Sequence, residues 1–280
     1  MPELPEVETI RRQLDPRLQG RPVLEADSHP STKFTPATEA VGTSLLGAGR
    51  RGKFLLIPTA DGRELVIHLG MTGALDFRSP DAELADDEPY LRAWWRLGPS
   101  PATDEGQAAD EILRFVDVRR FGRIRVVPAG DYQTIPTLAA AGPEPFDDDF
   151  DGKAFWERLR SSRRKIKTQL LSQRPIAGVG NIYADEALWL ACINPNVTRI
   201  GPERAALLLE TIREVLEAGI ENGGTTLRDY RNVDGGAGTN QRTLAAYGRG
   251  GRPCLRCDTT LRSATIDART TTWCPHCQPR

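Results

Sequence analysis

Four of the five cysteines in this 280-residue chain form two Cys-x2-Cys pairs, Cys254 with Cys257 and Cys274 with Cys277, separated by sixteen residues. Two residues between ligands let both sulfurs of one turn face the same tetrahedral ion. The spacing therefore points to a four-thiolate site holding one structural Zn2+ between two knuckles. Metal-bound thiolates give up their protons. Two disulfides are the other reading, which a cytosolic setting disfavours. The sixteen intervening residues suffice for a β-hairpin. His276 lies inside the second knuckle but is superfluous beside four thiolates, and Cys192, alone in a helical stretch, reads as an inert buried residue.

The second chemical signal is positive charge. Arg119, Arg120, Arg123 and Arg125 crowd one segment, and Arg160, Arg163, Arg164, Lys165 and Lys167 another. Arg249, Arg252, Arg256, Arg262, Arg269 and Arg280 run through the cysteine-bearing tail. The formal net charge is only −1, so no whole-chain attraction to nucleic acid exists. Acid is concentrated at 81–88 and 147–151, which leaves the basic segments segregated. Arginine runs are commonly solvated faces, but beside a zinc hairpin they suit phosphate contact.

These residues need a scaffold. The first fifteen residues predict a helix, with Pro5 suited to its start, Glu6 and Glu8 in its first turn, and Val7, Ile10 and Leu14 at helical spacing. From about Pro22 to Val127, short β-like runs such as 54–57, 65–68, 91–97 and 124–127 alternate with turn residues and suggest a sandwich or barrel. A Pro- and Gly-rich stretch at 128–150 reads as a hinge with a brief helical piece. Helices are expected at 154–159, 166–171, 182–191 and 202–219, the last with Leu207, Leu208, Ile212, Val215 and Leu216 along one stripe. The expected domains are 1–130, a hinge at 131–150, a helical domain at 151–248, and a zinc finger at 249–280. With 39% hydrophobic and 27% charged residues and no apolar run approaching a bilayer span, membrane crossing is not expected. The acidic, proline-bearing start does not read as a signal peptide, and the cytoplasm is the expected location.

With MPELPEVETIRR at one end and YGRGGRPCLRCDTTLRSATIDARTTTWCPHCQPR at the other, the sequence resembles the bacterial formamidopyrimidine-DNA glycosylases of the Fpg/Nei family. RRGKFLLI, HLGMTG, DVRRFG, GPEPF, IKTQLLSQRPIAGVGNIYADEAL and GGTTLRDY follow between them in the family's order. The resemblance implies an α+β multidomain protein: an N-terminal β-sandwich with flanking helices, then a helix-two-turns-helix domain with a zinc-binding β-hairpin. It implies a bifunctional DNA glycosylase and AP lyase of base excision repair, acting on oxidised purines in duplex DNA as a monomer in the bacterial nucleoid.

The resemblance also assigns roles. Removal of the initiator Met would bare the secondary amine of Pro2, which can attack the sugar C1′ and form an iminium that acidifies the C2′ proton. An α-amino group has an unperturbed pKa of about 8, and a helix N-terminus beside it disfavours the protonated form. Glu3 is implied as the acid–base partner and Lys53 as a hairpin-borne group reaching a phosphate or the leaving group, with Glu6 and Glu186 in support. His68, Lys167, Asn181, Tyr247 and Arg269 are implied in DNA binding through phosphates. Met71, Arg119 and Phe121 are implied to fill the void left by the extruded nucleotide. From the residues alone, Met71 and Phe121 would be assigned to the core.

Three places depart from the family pattern. Thr239 and Asn240 stand where a Tyr-Phe pair is common in the loop that contributes to lesion recognition, Val118 replaces a proline, and Ala268 replaces a glycine. Two other functions remain to be weighed: an endonuclease VIII-like enzyme for oxidised pyrimidines, whose members usually begin Pro-Glu-Gly, and a non-catalytic zinc-containing DNA-binding protein.

Overall fold

A computed structural model describes residues 1–80, 88–99 and 110–280; most of the acidic run at 81–88 lies outside the described residues. The chain forms two compact units, 1–139 with 223–239, and 140–222 with 240–280. The segment 223–239, expected with the helical domain, thus groups with the N-terminal unit. Hydrogen bonds to the first helix, described below, account for this.

The N-terminal unit opens with α1 (Leu4–Leu18), with Glu3 at its N-cap and Pro5 in its first turn, where a missing N–H costs nothing. Among the described residues, nine strands follow: β1 (Arg21–Ser28), β2 (Ser44–Leu45), β3 (Gly49–Arg51), β4 (Phe54–Pro58), β5 (Arg63–His68), β6 (Gly73–Arg78), β7 (Leu91–Leu97), β8 (Glu111–Asp117) and β9 (Arg123–Pro128). They make a five-stranded sheet in the order β2-β1-β7-β8-β6 and a four-stranded sheet in the order β3-β4-β5-β9. Leu55, Ile57, Leu65, Ile67 and Ile124 of one sheet meet Val23, Trp95, Leu97, Leu113 and Phe115 of the other in a common core, closed by Val7, Ile10, Leu14 and Leu18 of α1. This is the expected sandwich, and it includes strands whose alternation was too short to read in isolation. On the outer face of the four-stranded sheet, Val66 and Val127 pack against Ile135 and Leu138 beside the brief helix α2 (Pro136–Ala139). Leu65, Val66 and Ile67 are therefore buried on both faces, and β5 reads as a continuous apolar run.

The second unit holds α3 (Gly152–Arg160), α4 (Ile166–Leu171), α5 (Asn181–Leu190) and α6 (Pro202–Glu221), then a hairpin of β10 (Arg262–Ile266) and β11 (Arg269–Trp273). Asp151 caps α3 by accepting the Ala154 N–H at 2.7 Å. Gln173 shapes the two turns between α4 and α5: its Oε1 accepts the Gly178 N–H at 2.9 Å and its Nε2 donates to the Val179 carbonyl at 2.5 Å. α5 is buried on nearly every side from Ile182 to Leu188. Along α6, Ala205, Leu208, Leu209, Ile212 and Leu216 form the buried stripe, whereas Leu207 is exposed and falls off it. Among the described residues, no helix is long and apolar enough to cross a membrane.

Candidate functional site

At the head of α1, Pro2, Glu3 and Glu6 are buried, while Met1 remains 46% exposed. The Pro2 nitrogen is in peptide linkage to Met1, whose removal would bare it. Glu6 is a structural hub: its Oε2 accepts the Glu3 N–H at 2.8 Å and its Oε1 accepts the Thr225 N–H at 2.6 Å. One carboxylate therefore fixes the Pro2-Glu3 backbone and docks the GGTTLRDY segment. Gly224 belongs there because a Cβ would stand 2.9 Å from Glu6 Cγ at a backbone φ of +87°.

Lys53 is brought to the same helix by a neighbour. The β3–β4 hairpin turns at Gly52 and Lys53, with Gly52 at φ +55°. Arg50 donates from Nε to Glu8 Oε2 and from Nη1 to the Gly52 carbonyl, both at 3.1 Å. This ties the lysine-bearing turn to the second turn of α1 and leaves Lys53 only 7% exposed. Glu8 also accepts from Arg11 and Arg12, and these charged neighbours hold its carboxyl below the usual range against the opposing effect of burial. The i,i+3 and i,i+4 spacing to those arginines was visible in the sequence; the bond to Arg50 had no local signal.

His68, at the end of β5, accepts the Gly70 N–H through Nδ1 at 3.2 Å. The proton of the neutral ring therefore sits on Nε2, which is left as a donor. Burial, then Lys53 and Arg123, pull its pKa down to about 4. Beyond it, Met71 is 37% and Phe121 47% exposed, so neither is a core residue. The Arg119 Cζ lies 4.8 Å from the Phe121 ring centroid, a cation–π pair at the surface.

In the helical unit, Lys167 lies in a buried cluster. Expected on a phosphate, it is fully buried, and its Nζ donates to Asp185 Oδ1 at 2.6 Å, Thr271 Oγ1 at 2.9 Å and the Thr270 carbonyl at 3.2 Å. Asp185 Oδ2 accepts the Thr272 N–H at 3.0 Å, and Thr168 donates to Asp267 in the hairpin turn. Lys167 and Asp185 thus brace β10–β11 against α4 and α5. Burial raises the Asp185 carboxyl, and Lys167 opposes that rise. Nothing in the spacing of 167, 185 and 271 announces this cluster, so Asp185 was missed.

Asn181 begins α5 and donates from Nδ2 to the Thr270 carbonyl at 3.2 Å. Glu186, expected to support the Pro2 amine, has both oxygens engaged by the N–H groups of Ala245, Ala246 and Tyr247 at 2.7 to 2.9 Å. It anchors the turn that presents Tyr247. Burial raises its pKa, while these three bonds act in the opposite sense. Arg269 is exposed and opens β11 directly after Asp267 and Ala268, which form a two-residue turn with φ of +47° and +59°.

The Sγ atoms of Cys254, Cys257, Cys274 and Cys277 lie within 4.8 Å of one another. Four sulfurs so gathered fit a tetrahedral zinc with Zn–S bonds of about 2.3 Å. Trp189 Nε1 donates to Cys254 Sγ at 3.4 Å and the Cys277 N–H to Cys274 Sγ at 3.3 Å, the outer contacts expected around metal thiolates. His276 is exposed and lies outside the cluster. Cys192 is half-buried rather than buried; it stands at φ +54° after α5 and accepts from Arg256 Nη1 at 2.6 Å.

Residues 1–124 match the model of the formamidopyrimidine-DNA glycosylase N-terminal domain, 141–231 that of its H2TH domain, and 251–280 that of a zinc finger found in FPG and IleRS. The formamidopyrimidine-DNA glycosylase of Deinococcus radiodurans is 40% identical, covering 100% of this chain and 98% of the relative. That of Thermomicrobium roseum is 43% identical over 100% and 99%. The crystal structure of MutM (Fpg) from Thermus thermophilus superposes with a TM-score of 0.85 at 41% identity, covering 99% of this chain and 98% of that one. Lactococcus lactis Fpg in complex with DNA containing an abasic site superposes with a TM-score of 0.84 at 34% identity, covering 99% of this chain and 100% of that one.

Proposed function

Because the chain belongs to the formamidopyrimidine-DNA glycosylase family, we propose that it excises oxidised purines, 8-oxoguanine and formamidopyrimidines, from duplex DNA and then cleaves the strand at the resulting abasic site. The observation that carries the reading is the construction at the head of α1, where Glu6 fixes the Pro2-Glu3 backbone and Arg50 ties the Lys53 turn to the same helix. The solved complexes of Lactococcus lactis Fpg with abasic-site and Fapy-dG DNA support damaged DNA as the partner.

With Met1 removed, the Pro2 nitrogen attacks C1′ and the bond to the damaged base breaks, the base leaving with the proton that the amine sheds. Glu3 donates a proton to the ring oxygen as the sugar opens, giving a cationic iminium between the Pro2 nitrogen and C1′. The cation acidifies C2′; Glu3 takes that proton and the 3′ phosphate leaves. A second elimination removes the C4′ proton and expels the 5′ phosphate, and water adds to C1′ to release Pro2 from the sugar remnant. Lys53 stabilises charge on the departing groups. His68 Nε2, Asn181, Tyr247 and Arg269 hold phosphates, while Met71, Arg119 and Phe121 occupy the emptied stack. The zinc stabilises the hairpin that carries Arg269 and takes no part in the bond changes.

Borohydride reduction in the presence of abasic-site DNA tests the chemistry. Peptide mass mapping should find the DNA remnant on Pro2, and Pro2→Gly should form adduct more slowly. Absence of an adduct from zinc-loaded protein, or Met1 retained on active protein, defeats the reading. A panel of duplexes bearing single lesions then tests specificity, and preference for oxidised pyrimidines would place the chain with the endonuclease VIII-like enzymes.

A further inference from the structure

Asp117 closes β8 with no exposed surface, and its carboxylate is spent on two loops. Oδ1 accepts the Thr72 hydroxyl at 2.6 Å and the Arg119 N–H at 3.2 Å; Oδ2 accepts the Gly122 N–H at 2.7 Å. Thr72 Oγ1 in turn accepts the Arg119 N–H at 3.0 Å. The loop carrying Met71 and the loop carrying Arg119 and Phe121 are thereby joined through one buried carboxylate and one hydroxyl. Backbone packing completes the joint: a Cβ on Gly70 would stand 2.5 Å from both Gly122 N and Phe121 C, at a φ of +66°.

The exterior of the joint is fixed as well. Lys33 Nζ donates to the Arg120 carbonyl at 2.8 Å, and buried Arg92 donates from Nε to the Asp117 carbonyl at 2.8 Å. The three side chains this framework presents, Met71, Arg119 and Phe121, are all exposed. Buried order beneath exposed apolar groups is what insertion between stacked bases requires, because side chains already ordered lose less entropy on entering the duplex.

We propose that Asp117 and Thr72 are positioning residues that lock the two loops together, so that Met71, Arg119 and Phe121 enter the duplex as a single body. The proposal rests on the reading that those three side chains fill the vacated stack. Asp117 is fully buried and the Thr72 hydroxyl is engaged by it and by the Arg119 N–H, so their effect is confined to substrates whose stack must be opened.

The test compares two substrates, a duplex bearing one 8-oxoguanine and a single strand bearing one abasic site, which has no stack to fill. Thr72→Val removes the hydroxyl at similar volume and should slow single-turnover excision from duplex about tenfold, while borohydride trapping on the single strand stays within about twofold. Thr72→Ser should restore the duplex rate. A 2-aminopurine opposite the lesion should brighten more slowly in Thr72→Val, and Asp117→Asn should exceed its defect on duplex. Unchanged duplex excision by Thr72→Val, or equal losses on both substrates, overturns the proposal. Phe121→Ala keeps the two readings apart. If it slows duplex excision while Thr72→Val does not, only the positioning role fails; if it is silent, the void-filling reading fails and takes this one with it.

Discussion

The zinc ribbon and the head of α1 solve the same problem, holding polar groups in a fixed array, at opposite ranges along the chain. The ribbon gathers its four sulfurs from residues 254–277, with each pair presented by one tight turn. The head of α1 is assembled from residues 2–8, the hairpin at 50–54 and the segment at 223–230, joined by Glu6 and Glu8. A metal supplies the cohesion in the first case, and buried carboxylates supply it in the second. A short-range array is therefore legible as spacing, whereas a long-range one exists only once the sandwich has closed.

Removing the metal should sharpen the contrast most. Chelation, or Cys254→Ser, should abolish zinc in metal analysis and unfold β10–β11, since structural zinc contributes about 10 kcal/mol or more to such folds. Retained amide protection in the metal-free hairpin would break the comparison. Lys167→Met should follow, costing about 3–5 kcal/mol because Asp185 is left buried without its partner and must stay unpaired or take up a proton. Adding Asp185→Leu should recover much of the lost thermal stability. An unchanged Tm with weaker, less salt-dependent DNA binding would instead return Lys167 to a phosphate.

Smaller effects probe the long-range array. Glu6→Ala leaves the Glu3 and Thr225 N–H groups without acceptors and should cost about 1–3 kcal/mol. It should also slow adduct formation at Pro2, an effect that an ordinary helix-start acid would not produce. His68 gives a pH signature. Its folded pKa of about 4 lies below the usual 6.5. Between those values the unfolded chain binds the proton first, so stability falls as pH drops from 6.5 towards 4. His68→Gln should flatten that limb of a denaturation series, and an unaltered limb would remove His68 as its source. Least of all, Ala268→Gly should stabilise the hairpin by about 1 kcal/mol, because Ala268 occupies a left-handed conformation that glycine adopts without a Cβ penalty. A lower Tm would show that chain entropy outweighs strain at that turn.

Much of the fold was legible. The α1 pattern, the four later helices and the cysteine spacing each reflect a local period or a short loop, and neighbouring residues carry that information by themselves. Lys167 shows the limit: its residue type and basic setting suggested phosphate, but Asp185 and the hairpin enclose it. Met71 and Phe121 show the converse, since apolar type favours burial and yet both are exposed on linked loops.

Residue types and their spacing suffice for the zinc ligands, the secondary structure around the helices and, through the order of the motifs, the family. Which carboxylates serve as struts, which lysine is enclosed and which loops are joined emerges only on folding. The physical reason is that burial and hydrogen-bond partnership arise from residues far apart in the chain, and no residue type carries its partner's position.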